Sequence, residues 1–342
     1  MTPLPAWNLK FPSPLAAYAG RETVLGALDA LGARITRTFS TLPWMTVQAS
    51  QAAAVALRRR RDVLWIESDG GCVSCATLAA RATSWAIQAM RAPEAHAMTR
   101  GAGVTVGIID TGIARHLRGS DVTLDESFVP DEAPDDLNGH GTASAWLVRQ
   151  VAPEARIVGL KALDMNGQGQ WSSVAAALER ATTERIQVVA MALGGDERSL
   201  LVDEALQAYA GSGGIAVAAA GNGGRAALDY PGSSAYAITV GAVDRAGKSP
   251  RWSNWAAWPR SPDAAAPGVD VPSVGRDGAQ KNASGTSVST ALAAGAIALG
   301  VATRRLTSLS EARAALGRTA RRGGRRERVG FGVVDAAALV RA

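Results

Sequence analysis

Cysteine is scarce. The 342 residues carry only Cys72 and Cys75, in the run GGCVSCA. Two thiolates cannot close a tetrahedral zinc site, and no second CxxC exists to complete one. No thioredoxin-like unit surrounds the pair, so both are read as loop cysteines, reduced or locally bridged, and no metal is expected. No apolar run reaches the roughly 18 to 20 residues that span a bilayer, so no membrane partner is expected. The opening MTPLPAWNLKFPSPLAAYAG lacks the basic segment, apolar stretch and cleavage site of an export signal. As written, the chain is expected to be soluble; its location is left open between cytoplasmic and, were a leader missing, secreted. Basic charge is in mild excess, 36 Lys and Arg against 30 Asp and Glu. The excess is local, in Arg58 to Arg61 and between Arg318 and Arg328, without interleaved aromatics or a nucleic-acid reading motif. Solvated faces explain these blocks, and no nucleic-acid partner is expected.

What is present is core-forming material, 47% of the residues being hydrophobic. That is enough for one large domain with a small companion. In the first part, VLGALDALGA has helical periodicity, ARITRTFS and LPWMTVQA alternate like a hairpin, QAAAVALRRRR is a second helix and DVLWIESD a closing strand. Helix, two strands, helix, strand predicts a small α+β unit of ferredoxin-like kind over 1–71, its antiparallel sheet covered by helices on one face. The stretch 72–84 turns small and polar, as an exposed connector would. From 85 to 342 the pattern changes. VTVGIID, ARIVGLKAL, QVVAMAL and GIAVAAAG are buried-strand runs separated by helical segments such as SSVAAALERATTE and LLVDEALQAYAG. Such alternation predicts an α/β fold, a parallel β-sheet with helices on both faces. Sites in such folds lie beyond the carboxyl ends of the strands, where Asp110 falls.

Three short motifs follow in order: IIDTG around Asp110, NGHGTA around His140 and SGTSVST around Ser287. Each alone has a plainer reading: an aspartate capping a turn, a loop histidine between glycines, a glycine that lets a helix pack closely. Together they supply an acid, a base and a nucleophile. A serine hydroxyl is a poor nucleophile at neutral pH and needs a base within hydrogen-bond reach. Of the three histidines, His96 and His116 lack the glycine-flanked setting of His140. Ser287, following Gly285 and Thr286, would open a helix whose dipole and free amides favour developing negative charge.

Residues 85–342 resemble the subtilases, the subtilisin family of serine proteases, and the chain order Asp, His, Ser is that family's. WAIQAMRAP, VAPEARI, LKAL, MALGG, AAAGN, YPGSSAYAITVGAVD, SNWA, AAPGV and FGVVDAAA follow in family order. The resemblance implies a serine endopeptidase that forms an acyl-enzyme on Ser287, with His140 as base and acid, Asp110 orienting it, and Asn222 as oxyanion-hole donor. It implies an extended peptide or protein substrate added as a strand beside Ala192, Leu193 and Gly194, with no cofactor. A monomer is expected. The first 70 residues resemble the family's inhibitory propeptide, which makes the chain a self-processing zymogen with its own N-terminal domain as partner.

Departures are informative. After the nucleophile the family usually carries Met, Ala, a small residue, Pro and His; here stand Val288, Ser289, Thr290, Ala291 and Leu292. The short path from His140 to VAPEARI leaves no room for the calcium-binding loop many relatives insert, so that calcium site is expected to be absent. Asp229, before the YPG run, falls at the base of the family's pocket for the side chain preceding the cut. A carboxylate there favours Arg or Lys; the plainer reading is a surface-loop aspartate. Cleavage after Arg81, before Ala82, would suit such a pocket. The rival reading is a catalytically silent, subtilase-like peptide-binding module.

Overall fold

The computed structural model describes residues 4–14, 25–74, 77–79, 85–115 and 122–342. Its centre is a seven-stranded sheet, parallel throughout, in the order Ala264–Pro267, Ile238–Val243, Ile215–Ala219, Val188–Met191, Thr105–Asp110, Arg156–Lys161 and Val122–Ser127. Apart from the edge, these strands are near-continuous Val, Ile and Ala because both faces are covered. Successive residues divide between the faces. Ile108, Ala190 and Val217 pack with the helices His140–Val151 and Thr286–Ala302. Ile109, Val189 and Ala216 pack with Trp171–Thr183 and Leu200–Gly211. The helix Thr286–Ala302 is apolar on all sides and buried almost throughout, as such a composition requires. The chain builds the sheet outward from Thr105–Asp110 to one edge, returns, and then extends the other side. The carboxyl end of Thr105–Asp110 therefore lies at the topological switch point.

The N-terminal unit is a four-stranded antiparallel sheet ordered Arg34–Thr38, Trp44–Gln48, Ala6–Lys10, Trp65–Ser68. Its inner strand Ala6–Lys10 has no counterpart in the sequence reading. The buried Asn8, bonded to Thr46 Oγ1 at 2.8 Å, breaks the apolar pattern, and prolines stand near both ends. One face buries Leu9, Phe11, Met45 and Val47 under Leu28 and the helix Gln51–Arg58. Beside the other, Phe39, Leu42 and Trp44 join the apolar layer of Trp171–Thr183 and Leu200–Gly211.

The stretch 72–84, expected as an exposed connector, is strand where it is described, at 72–74 and 77–79. Gly71–Ser74 is a strand lying between Gln168–Gln170 and Leu193–Gly194, antiparallel to both, and Cys72 is 1% exposed. Thr77–Ala79 pairs with Gln280–Ser284. Small polar residues read as a linker in isolation, yet the strands Gln168–Gln170, Leu193–Gly194 and Gln280–Ser284 supply backbone partners for them. Arg81 and Ala82 lie outside the described residues. Among the described residues, no helix is long and apolar enough to cross a membrane.

Candidate active site

Asp110 closes the central strand and is fully buried. Its carboxylate accepts the backbone N–H of Thr111 at 2.7 Å and the Ser144 hydroxyl at 3.1 Å. Nδ1 of His140 stands 2.7 Å from Oδ1 and 2.9 Å from Oδ2. Burial opposes charging of the imidazole, but Asp110, with Asp136 behind it, outweighs burial and raises the His140 pKa above its ordinary value.

His140 is the first residue of its helix, and Asp136 builds that start. Asp136 Oδ1 accepts Gly139 N at 2.7 Å, Asn138 N at 2.9 Å and the Thr111 hydroxyl at 2.9 Å. Its Oδ2 takes Thr142 N at 2.9 Å and the Thr142 hydroxyl at 2.5 Å. One buried carboxylate thus satisfies three backbone donors and ties the histidine turn to the Asp110 turn. Gly139 enters the helix at φ 109°, a conformation that favours glycine. Beneath the site, the buried ammonium of Lys161 donates to the Thr111 carbonyl at 2.7 Å and lies 3.1 Å from Glu132. Neither Asp136 nor Lys161 was singled out in the sequence. The signal for Asp136 was an aspartate four residues ahead of His140, where helix-start caps occur; Lys161 lay inside an apolar run and carried none.

Ser287 is 2% exposed, the second residue of the helix Thr286–Ala302. The Asn222 carbonyl oxygen accepts Thr286 N at 3.0 Å and the Thr286 hydroxyl at 2.9 Å, and Thr286 Oγ1 in turn accepts Gly221 N at 3.1 Å. These bonds fix the Asn222 amide against the start of the serine helix. The histidine and serine helices pack together, with Gly295 against Val148 and Val151. Asp110, which holds His140, ends Thr105–Asp110, and Gly221 and Asn222, which hold Thr286, follow the end of Ile215–Ala219. These strands belong to one parallel sheet, so both helix starts lie beyond the same, carboxyl, end of it. The unusual residues after Ser287 are accommodated by internal bonds. The Ser289 hydroxyl donates to Ala266 O at 3.0 Å and that of Thr290 to Thr286 O at 2.8 Å.

Of the other histidines, His96 places Nε2 2.7 Å from the Val151 carbonyl and is a scaffold residue; His116 lies outside the described residues. Ala192, Leu193 and Gly194, the expected substrate-binding residues, are buried, and Leu193–Gly194 is a short strand. The chain's own Gly71–Ser74 pairs with it in the register Leu193 to Ser74 and Gly194 to Val73. Asp229 borders the same strand, its Cβ 3.0 Å from where a Cβ on Gly194 would stand. It is a half-buried loop residue with partners of its own. Its Oδ1 accepts Arg225 Nη2 at 2.5 Å and Asn254 Nδ2 at 2.8 Å. Burial pushes its pKa up, opposed by Arg225. The expectation of Arg or Lys selection treated Asp229 alone, because its partner four residues earlier has no signature in sequence. Among the described residues, no group of three or more His, Cys, Asp or Glu is arranged to hold a metal ion. The histidine helix runs unbroken from His140 to Val151 and contains no carboxylate.

The Subtilase family profile (Peptidase_S8) matches residues 101–332. An alkaline protease of Alkalihalobacillus alcalophilus is 32% identical over 291 residues, covering 81% of this chain and 73% of its own. Subtilisin Savinase of Lederbergia lenta is 35% identical over 235 residues, 64% of this chain and 84% of its own. Alkaline elastase YaB of Bacillus sp. (strain YaB) is 31% identical over 318 residues, 89% of this chain and 81% of its own, so that alignment reaches into the N-terminal unit. With an aspartate and histidine paired at the sheet's switch point and a serine opening the buried helix alongside, the chain belongs to the subtilase family, the subtilisin-type serine endopeptidases.

Proposed function

We propose that Ser287 attacks the scissile carbonyl and carries the acyl group. His140 takes the hydroxyl proton and later delivers it to the leaving amine. Asp110 holds the imidazole tautomer and stabilises the imidazolium. Asn222 Nδ2 and the Ser287 backbone N–H donate to the oxyanion, a contribution of roughly 3 to 4 kcal/mol for a side-chain donor of this kind. The observation that carries this reading is the approach of both Asp110 oxygens to His140 Nδ1, which leaves Nε2 as the basic nitrogen. Every step uses side chains and backbone amides of this chain, so no cofactor is invoked. Labelling with a fluorophosphonate tests it: wild-type protein takes up one label, while Ser287→Ala and His140→Ala take up none. Labelling of Ser287→Ala would overturn the assignment.

The N-terminal unit serves as the enzyme's own inhibitor and folding assistant, released by self-cleavage. Parallel pairing is slow because long loops close before contacts form, which gives such an assistant a physical role. Glu67 accepts the Leu200 N–H at 3.0 Å and the Ser199 hydroxyl at 2.7 Å; Asp69 accepts Ser172 N at 2.8 Å. Two carboxylates of this unit thus meet the starts of two helices, where anions are favoured. The chain then runs through the substrate cleft. Its strand up to Ser74 pairs with Leu193, and its strand from Thr77 pairs with the residues just before Gly285 and Ser287. We assign the bond to be cut to the stretch between Ser74 and Thr77, upstream of the Arg81–Ala82 bond that an acidic pocket at Asp229 would suit. Intact mass of wild type against Ser287→Ala locates it. A new N-terminus at Ala82 in wild type alone would move the site, and an uncut wild type would remove self-processing.

A further inference from the structure

Resting on this protease reading, we propose that Arg225 is the residue that decides which side chain is accepted before the cut, by sealing Asp229 against cations and leaving a pocket for small uncharged side chains. Asp229 is held rigidly. Its backbone N–H donates to Ala220 O at 2.9 Å, and the next residue, Tyr230, exchanges two hydrogen bonds with Gly195, at 2.8 and 2.9 Å. Its side chain fills the corner between the strand Leu193–Gly194 and the oxyanion loop, for a Cβ on Gly221 would stand 2.2 Å from Asp229 Oδ2. The Arg225 Nη2 that binds Asp229 also binds Asp196, two residues beyond Gly194. Arg225 therefore bridges the oxyanion loop to the chain beyond Leu193–Gly194, while its own backbone N–H is fixed by Asn254 Oδ1 at 3.2 Å.

A substrate Arg or Lys would bring a second cation against this guanidinium and would meet a carboxylate whose charge Arg225 already offsets. A small uncharged side chain leaves the clamp intact. Independently, the described strands of the chain's own segment, Gly71–Ser74 beside Leu193–Gly194 and Thr77–Ala79 beside Gln280–Ser284, contain no Lys or Arg, the first such residue after Gly71 being Arg81.

The test compares kcat/KM for matched peptides carrying Ala, Leu, Lys or Arg before the cut. In wild type, Ala is expected to exceed Arg by at least about tenfold, and Arg225→Ala to raise the Arg to Ala ratio by about a hundredfold, the scale of discrimination by one charge pair in a binding site. Arg225→Lys should keep most of the wild-type ratio, and Asp229→Asn added to Arg225→Ala should abolish the gain. Being a ratio, the readout does not depend on how much of a variant folds. Wild type cutting after Arg as fast as after Ala, or a ratio unmoved by Arg225→Ala, overturns the proposal. Absence of fluorophosphonate labelling would instead strike the underlying protease reading.

Discussion

Gly141 and Gly112 meet backbone to backbone: a Cβ placed on Gly141 would lie 2.2 Å from the Gly112 carbonyl oxygen. The contact joins the first turn of the histidine helix to the turn after Asp110, and the Thr111 hydroxyl reinforces it by accepting Gly141 N at 2.9 Å. Gly141→Ala must therefore push the helix start away from Asp110. Displacements of about 1 Å at a catalytic group reduce rates by about a hundredfold. Steady-state kinetics on a peptide substrate should show that loss in kcat while the far-ultraviolet spectrum stays unchanged.

Asp136 offers a sharper separation of structure from chemistry. Asp136→Ala leaves the N–H groups of Asn138, Gly139 and Thr142 without their acceptor, and lost caps cost about 0.5–2 kcal/mol even for a single acceptor. A drop in thermal midpoint of several degrees is expected. Asp136→Asn keeps the acceptor for Asn138 and Gly139 while its amide nitrogen faces Thr142, and it removes a charge that raises the His140 pKa, so the acid limb of kcat/KM should move to lower pH. A pH profile identical to wild type would contradict this electrostatic role.

The pH dependence of the enzyme follows from His140 itself. Its pKa in the folded state lies above the ordinary 6.5. The Asp110 to imidazolium attraction therefore stabilises the fold most fully below pH 6.5 and fades as pH rises through the folded value. Activity runs the other way, because the base must be neutral: kcat/KM should climb with pH through a midpoint above 6.5. Asp110→Asn should lower kcat by about ten-thousandfold, as loss of the orienting carboxylate does in such triads.

Docking of the N-terminal unit should be sensitive to Glu67. In a Ser287→Ala background, where the chain stays intact, Glu67→Ala removes the acceptor for Leu200 N, Leu201 N and the Ser199 hydroxyl. We expect about 1–2 kcal/mol of weaker docking, read as faster amide exchange in residues 200–204. Unchanged exchange there would show that Glu67 contributes nothing to docking, leaving it to Asp69 and to packing through Phe39, Leu42 and Trp44.

The buried strands, the Asp110, His140 and Ser287 motifs and the hairpin of the N-terminal unit were legible in the sequence. Each depends on short-range pattern: apolar runs for strands covered on both faces, glycine at sharp turns, a helix start after Gly285. What the sequence could not show were partnerships between distant residues. Lys161 under Thr111, Glu67 at the start of Leu200–Gly211, and the strand Gly71–Ser74 seated between Gln168–Gln170 and Leu193–Gly194 all join segments tens to more than a hundred residues apart. The Arg225 clamp on Asp229 spans four residues, yet only tertiary structure bends that loop so that one guanidinium reaches both Asp229 and Asp196. Local sequence determined which chemistry the chain can perform. The packing of distant backbone decided where the strand Gly71–Ser74 lies and what pairs with Asp229, because both depend on groups brought together only when the sheet closes around its central helix.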